Sequence, residues 1–130
     1  MGLKGKGNIR WRRLFHSFRF ASYGIKHVII HEQNMRIHLA AGILVLLAGF
    51  LLGIPKVHWL LLLLTIGGVW SLEILNTAIE RTVDLVTDEY HPLAKAAKDI
   101  AAAGVFVFSL IAVIVGIVIF LEPLRNLFIK

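Results

Sequence analysis

Three long apolar runs, separated by short polar segments, dominate the pattern of hydrophobic and polar positions along the chain. They cover residues 37–54, 57–79 and 100–121. A helix rises about 1.5 Å per residue and the hydrocarbon core of a bilayer is about 30 Å thick, so each run is long enough to cross a membrane. The pattern therefore predicts an all-α integral membrane protein with three transmembrane helices.

The segment before the first apolar run mixes cations with aromatic residues such as Trp11 and Phe20. This mixture is typical of an amphipathic helix that lies in the headgroup plane of a membrane. We expect such a basic surface helix within residues 1–36, and a plain anchor is the simplest role for it. Glu32 stands out in this segment, because anchoring needs no acid and the next carboxylate is Glu73.

Composition places the chain outside the soluble class and narrows its chemistry. The mean hydropathy is +0.78 and 58% of the residues are hydrophobic. The chain has no cysteine, which excludes disulfides, thiolate metal sites and cysteine nucleophiles. The net charge is +6, but no base-reading motif accompanies it, so we expect no nucleic-acid partner. The length of 130 residues predicts a single domain, 1–130.

The distribution of Lys and Arg predicts the orientation in the membrane. Eight of the fourteen lie in the first 36 residues, one lies between the first two apolar runs, and three lie in residues 80–99. The positive-inside rule then places the N-terminus and residues 80–99 in the cytoplasm. We expect a multi-pass protein of the cell inner or plasma membrane.

Carboxylates appear at the end of the second apolar run, at helical spacing. With about 100° between successive residues, Glu73, Glu80 and Asp84 fall within about 20° of one direction, with Asn76 and Thr77 on the flanks. Three anions on one helix face repel one another, and near lipid each is costly when unpaired. Hard oxygen ligands of this kind suit Mg²⁺, which completes its shell with water and phosphate. Pairing of these acids with Arg and Lys of neighbouring helices explains the composition equally well.

Residues 87–99 supply further polar candidates, including His91, Lys98 and Asp99. A lysine here can neutralise phosphate and an aspartate can accept a hydrogen bond from an adenine amine, although helix capping and solvated charge explain the same residues. The sequence has no glycine-rich phosphate loop, no HExxH zinc motif and no nucleophile elbow. Any nucleotide chemistry in this chain therefore has to use Mg²⁺ and isolated cations.

Small residues on the apolar runs are typical of close helix contacts. Three spans alone make a thin core, so we expect a homo-oligomer whose sites are shared between subunits. The small-residue signals are Gly49-x-x-x-Gly53, Gly67-Gly68 and Ala112-x-x-x-Gly116.

The motif around the carboxylate face extends over most of the chain. It comprises EILNTAIERTVD at 73–84, DEYH at 88–91, AKD at 97–99 and E-x-N-M-R-I-H at 32–38. This pattern resembles the prokaryotic diacylglycerol kinase family, small trimeric membrane kinases unrelated to soluble kinases. The stretches DEYHPLAK and HEQNMRIHL look like the Gram-positive branch, whose members phosphorylate undecaprenol in preference to diacylglycerol. The departures are His31 before Glu32, and Phe20 where relatives can have Tyr.

The resemblance implies a role for each residue that matches the family motif. It implies that Glu73 is the general base that takes the proton of the lipid hydroxyl, and that Asn76 orients the phosphate or the base. It implies that Glu32 and Glu80 hold Mg²⁺ with ATP. The residues implied for ATP are Arg13, Phe20, Glu32, Glu80, Glu89, Tyr90, His91, Lys98 and Asp99, and those for the lipid are Asn34, Met35, Arg36, Ile37, His38, Glu73 and Ala102.

The expectation is thus an ATP- and Mg²⁺-dependent kinase of a membrane lipid alcohol, with undecaprenol as the first choice, in a homotrimeric helical bundle. Two alternatives stay open. One is the same chemistry on diacylglycerol, because the apolar side chains that line a lipid pocket do not indicate which lipid binds there. The other is a non-enzymatic cation-binding membrane subunit or channel, which would neither consume ATP nor form a lipid phosphate.

Overall fold

The computed structural model describes residues 6–129, with side chains from Trp11 onward, and this part of the chain consists of four helices and their connections. The helices are α1 (Lys6–His31), α2 (Gln33–Leu52), α3 (Lys56–Val86) and α4 (Pro92–Phe128). Helices α2, α3 and α4 are each long and apolar enough to cross a membrane. The prediction of an all-α fold with three apolar spans is confirmed, and the protein is a multi-pass membrane protein.

A single non-helical residue, Glu32, separates α1 from α2, and its backbone is extended (φ −104°, ψ 120°). Arg36 Nη1 donates to the carbonyl of Ile30 at 2.8 Å, which satisfies one of the carbonyls left free at the end of α1. The side chains of residues 11–27 are all exposed, and burial begins at Val28. Helix α1 therefore meets the rest of the fold through its last turns, and its placement on a membrane surface stays a prediction.

The turn between α2 and α3 depends on Gly53, whose backbone is left-handed (φ 62°, ψ 44°), a conformation that favours glycine. The Gly53 N–H donates to the carbonyl of Phe50 and the Ile54 N–H donates to that of Gly49. The Ile54 side chain then packs on Gly49, where a Cβ would lie only 3.0 Å from it. Gly49 and Gly53, which the sequence marks as a small-residue signal for helix contacts, therefore both contribute to the turn between α2 and α3. Helix α2 accordingly ends at Leu52, two residues before the predicted end of the first span.

Helices α3 and α4 run antiparallel and form the most extensive contact of the fold. Asp84 and Lys98 form an ion pair near the connecting loop. Further along, the Phe108 ring lies against Gly68, where it leaves no room for a Cβ. Glycine at this position therefore allows the two helices to approach closely, as the small-residue pattern predicts.

Helix α2 packs on α3 around Trp70. The indole Nε1 donates to the carbonyl of His38 at 3.2 Å, so this partly buried N–H has a partner. The same ring lies beside Gly42, where a Cβ would come within 3.0 Å. These contacts place the first turns of α2 beside the middle of α3.

The interior of the fold changes from apolar to polar along α3. Near the α2–α3 turn, Leu62 packs with Ile119 in a small apolar cluster. Three turns further, Glu73, Asn76 and Thr77 are 3%, 6% and 4% exposed. The predicted carboxylate face of α3 is thus buried at the level of Glu73, and the helix continues beyond the predicted span 57–79, through Glu80 and Asp84, to Val86.

Candidate active site

A cavity of about 380 Å³ lies between α2, α3 and α4 at the level of Glu73. We refer to it as the acid cavity. It brings together both predicted catalytic residues and several of the predicted lipid residues, from three different helices. Its lining consists of Asn34, Ile37, His38, Glu73, Asn76, Ala102, Val105, Phe106 and Ser109.

Helical spacing explains which predicted residues reach the acid cavity. On α4, Ala102 is followed at three, four and seven residues by Val105, Phe106 and Ser109, which is one face of a helix. On α2, residues 34, 37 and 38 share a face in the same way. Met35 and Arg36 turn to other sides of α2: Met35 is buried and Arg36 caps α1.

Glu73 is the only buried carboxylate among the side chains that the structure describes, and it is 3% exposed. His38 lies close enough to attract its charge, whereas Glu80 and Glu32 lie close enough to repel it. A buried anion beside two others is costly unless a cation or a proton compensates it. The acid cavity therefore favours the binding of a proton or a cation next to Glu73.

Asn76 lines the acid cavity together with Glu73 and also forms a hydrogen bond with Glu80. Its Nδ2 donates to Glu80 Oε1 at 2.9 Å, whereas its buried Oδ1 has no hydrogen-bond partner in the described part of the chain. An unsatisfied buried amide oxygen costs about 1–3 kcal/mol, so a ligand at this oxygen is favoured. The amide and carboxylate oxygens together form the hard donor set that suits Mg²⁺.

No three His, Asp or Glu side chains of the described residues are grouped closely enough to hold a metal ion by themselves. This fits Mg²⁺, which commonly takes one or two carboxylates and completes its shell with water and substrate phosphate. The two predicted metal ligands have different partners. Glu80 accepts from Asn76, whereas Glu32 Oε1 accepts from Arg81 Nη2 at 2.7 Å.

A second cavity, of about 360 Å³, lies where the α3–α4 loop meets the ends of both helices. We refer to it as the loop cavity. Four predicted nucleotide residues, Glu89, Tyr90, His91 and Lys98, line it. The other residues of its lining are Val83, Asp84, Thr87, Asp88, Ala94 and Lys95.

Two of the predicted nucleotide residues in the loop cavity also have structural partners. His91 is the N-cap of α4, and its Nδ1 accepts from the Leu93 N–H at 3.2 Å. Lys98 donates to Asp84 across the two helices. His91 therefore caps a helix and Lys98 forms an ion pair, as the alternative explanation of these residues has it, and both side chains also line the cavity.

Some predicted site residues line neither cavity. Arg13 and Phe20 lie on the exposed part of α1. Asp99 accepts from Lys95 one turn earlier on α4. The structure therefore brings all four predicted nucleotide residues of 89–98 together but leaves these three apart from them. Glu32 and Glu80 also lie outside both cavity linings.

Sequence reasoning missed Ser109 and Phe106 in the acid cavity, and Arg81 beside Glu32. The two α4 residues could have been found by continuing the helical period from Ala102. Arg81 carried no such signal, since its position within the motif does not indicate which carboxylate it meets.

A family model for prokaryotic diacylglycerol kinase matches residues 19–120. Undecaprenol kinase of Bacillus subtilis is 52% identical over 112 residues, which cover 86% of this chain and 91% of that protein. Diacylglycerol kinase of Synechocystis sp. is 44% identical over 112 residues, which cover 85% of this chain and 64% of that protein. Diacylglycerol kinase of Escherichia coli K12 is 31% identical over 102 residues, 78% of this chain and 84% of that protein.

Proposed function

The chain belongs to the prokaryotic diacylglycerol kinase family, and on that basis we propose that it transfers the γ-phosphoryl group of ATP to a membrane lipid alcohol. The family resemblance seen in the motif is confirmed by the family match and by the relatives. One structural observation carries the proposal. A buried carboxylate, Glu73, lines a cavity between three apolar helices, next to an amide and further carboxylates that suit a magnesium nucleotide.

Glu73 is proposed as the general base. It accepts the proton of the lipid hydroxyl group while the hydroxyl oxygen forms a bond to the γ-phosphorus. The bond between that phosphorus and the β–γ bridging oxygen breaks, and ADP leaves. His38 on the neighbouring helix supports this role, because its ring lines the same cavity as Glu73 and lies near enough to interact with the charge of the carboxylate.

Glu32 and Glu80, with Asn76, are the residues proposed to hold Mg²⁺ together with ATP. When bound, Mg²⁺ offsets the negative charge of the phosphates. The buried, unpartnered Oδ1 of Asn76 supports a ligand at this place. In the proposal Asn76 keeps Glu80 oriented through its Nδ2, and the position of Glu80 then directs the nucleotide towards Glu73.

The loop cavity is proposed to bind the nucleotide. Its lining carries three carboxylates against two ammonium groups, so it favours a nucleotide that arrives with its cation over a free one. Lys98 is proposed to contact phosphate, Tyr90 and His91 to pack on the base, and Glu89 to bind polar groups of the nucleoside. Asp99, which lies outside the cavity lining and pairs with Lys95, is proposed to bind the nucleoside after it exchanges that partner. Arg13 and Phe20 on α1 are proposed to complete this pocket from the opposite side.

Undecaprenol is the proposed lipid, since the relative that is 52% identical bears the name undecaprenol kinase. Diacylglycerol is the second candidate, because relatives that are 44% and 31% identical are named diacylglycerol kinases. Both lipids present one free hydroxyl group on a largely apolar molecule, undecaprenol at the end of its prenyl chain and diacylglycerol on a glycerol unit that carries two acyl esters. The lipid is proposed to contact the start of α2, from Asn34 to His38, together with Ala102 on α4.

In the proposed arrangement the whole chain is one membrane kinase domain of the inner or plasma membrane, and three copies form a homotrimer. The N-terminus and residues 80–99 face the cytoplasm, where ATP is present, and α1 lies on the membrane surface. With the proposed membrane-spanning segments at 37–54, 57–79 and 100–121, Glu73 would lie near the inner interface, where a lipid hydroxyl also lies. Long exposed apolar side chains on all three spans support contact with lipid or with further copies.

The test is phosphoryl transfer from labelled ATP by the purified protein in detergent micelles. Undecaprenol and diacylglycerol are supplied in parallel at matched mole fraction, with and without Mg²⁺. We expect Mg²⁺-dependent lipid phosphate with both substrates accepted and undecaprenol favoured in kcat/KM. Absence of any lipid phosphate, with the protein folded, contradicts the kinase proposal and favours a non-enzymatic cation-binding subunit.

A further inference from the structure

Hydroxyl groups within the helices of this chain commonly donate to the carbonyl four residues earlier. Five of them do so at 2.6 to 3.0 Å, namely Ser17, Ser22, Thr65, Thr77 and Thr82.

Ser109 on α4 lacks such a partner. Its Oγ is buried and has no hydrogen bond in the described part of the chain. A buried hydroxyl without a partner costs about 1–3 kcal/mol. This cost indicates that a group absent from the single chain completes the hydrogen bond of Ser109.

Ser109 lies at the level of Glu73 in the antiparallel pair of α3 and α4. The Asp84–Lys98 ion pair sets the register of the two helices. Glu73 precedes Asp84 by eleven residues on α3, and Ser109 follows Lys98 by eleven residues on α4. At about 1.5 Å per residue, both side chains lie about 16 Å from the ion pair, in the same direction. Both line the acid cavity.

Ser109 also lines a third cavity, which continues from the acid cavity away from the Asp84–Lys98 pair. This apolar cavity has a volume of about 600 Å³ and lies between α2, α3 and α4. Its walls are formed mainly by aliphatic and aromatic side chains such as Val45, Leu62 and Phe120. His38 and Ser109 are the two residues that line both cavities. They therefore mark the boundary between a polar space and an apolar one.

A lipid alcohol has the same division, with an apolar chain that ends in a hydroxyl group. Its hydroxyl is expected at the boundary, where the apolar space meets the carboxylate. His38 already lies close enough to Glu73 to interact with its charge, whereas the Ser109 hydroxyl is unpartnered. Of the two boundary residues, Ser109 is therefore the one available to the alcohol.

We propose that the Ser109 hydroxyl donates a hydrogen bond to the hydroxyl oxygen of the acceptor lipid and orients it towards Glu73. This inference rests on the proposed kinase function. One lone pair of the acceptor oxygen takes the hydrogen bond from Ser109 and the other attacks the γ-phosphorus, while the proton of the acceptor hydroxyl passes to Glu73. The bond between the γ-phosphorus and the β–γ bridging oxygen breaks, and ADP leaves. Ser109 keeps its own proton throughout, so it positions the nucleophile and does not act as an acid or a base.

The test compares Ser109→Ala with Ser109→Thr, which keeps a hydroxyl, and Ser109→Cys, which keeps the size but donates weakly. Steady-state kinetics are measured in micelles with a long-chain prenyl alcohol and with ATP as separately varied substrates. We expect kcat/KM for the alcohol to fall about tenfold in the alanine variant, to recover to within about threefold in the threonine variant, and to be intermediate in the cysteine variant. The KM for ATP is expected to stay unchanged in all three.

A substitution of another serine provides the matched control. Ser71→Ala removes an exposed hydroxyl from α3 and is expected to behave as the unchanged protein. A kcat/KM for the alcohol that is unchanged in Ser109→Ala overturns the inference, provided that the unchanged protein is active. Equal losses in all three variants, with a raised KM for ATP, also overturn it, because they indicate a purely structural role. An inactive unchanged protein refutes the kinase proposal instead.

Discussion

Arg81 Nη2 on α3 lies 2.7 Å from the Oε1 atom of Glu32, the one residue that separates α1 from α2. The pair joins positions 49 residues apart in sequence. It holds the α1–α2 joint against the same stretch of α3 that carries Glu80 and Asp84. In the proposed mechanism Glu32 is a ligand of Mg²⁺, so the guanidinium and the metal compete for one carboxylate.

Replacement of Arg81 by Ala should release this carboxylate. The guanidinium is exposed, and exposed ion pairs contribute less than about 1 kcal/mol, so the thermal midpoint of unfolding should change little. The Mg²⁺ concentration for half-maximal activity should fall several-fold, because Glu32 no longer has to exchange partners. Arg125→Ala, which removes an arginine near the far end of α4, is the control. A Mg²⁺ requirement that is equal in both variants and the unchanged protein contradicts the competition.

Substitution of Glu73 by Gln should abolish phosphoryl transfer almost completely while the fold is retained. The amide keeps the size of the side chain but cannot take the proton of the lipid hydroxyl, and loss of a general base typically costs 10²- to 10⁴-fold in rate. Turnover is measured with labelled ATP in micelles, and ATP binding is measured separately and should persist. Glu122→Gln, an exposed position on α4, should retain full turnover. Comparable turnover in the two variants would exclude Glu73 as the base.

Replacement of Glu80 by Ala should raise the Mg²⁺ requirement about tenfold. The change removes one proposed carboxylate ligand and also leaves Asn76 Nδ2 without its acceptor. The measurement is activity against Mg²⁺ concentration at saturating ATP, with Glu122→Ala as the control. Chelation of Mg²⁺ should stop phosphoryl transfer by the unchanged protein, and addition of excess Mg²⁺ should restore the rate. Identical Mg²⁺ titrations for the two variants would remove Glu80 from the metal site.

Two adjacent glycines on α3 offer a matched test of helix packing. A Cβ at Gly68 collides with the Phe108 ring, whereas a Cβ at Gly67 meets no atom of the described chain within 4 Å. Gly68→Ala should therefore lower the free energy of unfolding by about 1–3 kcal/mol through overpacking. Gly67→Ala should be neutral or slightly stabilising, since alanine favours a helix by up to about 1 kcal/mol.

Thermal unfolding in detergent, followed by circular dichroism, measures both glycine variants. Because Phe108 precedes Ser109, the Gly68 variant should also lose activity through displacement of the α4 face that lines the acid cavity. Equal melting temperatures for the two variants would mean that the α3–α4 contact tolerates the extra methyl group.

The spanning helices and the placement of the polar residues on α3 could be predicted from local sequence. The lengths of the apolar runs predict three spanning helices, and the spacing of Glu73, Asn76 and Glu80 predicts that they share a face of α3. The structure agrees, since Asn76 donates to Glu80 and Glu73 is buried beside them. These features depend on the length and period of one helix, which the sequence expresses directly.

The partners across helices could not be predicted in this way. The apolar runs determined by themselves that the chain spans a membrane, and the motif determined its family. Only the tertiary structure decided that Arg81 meets Glu32 and that Ser109 stands level with Glu73. Such pairings depend on the register between helices, and that register is set by contacts such as Gly68 with Phe108. Residues so distant in sequence leave no periodic signal, because a helical pattern specifies which face a side chain occupies but not what lies opposite it.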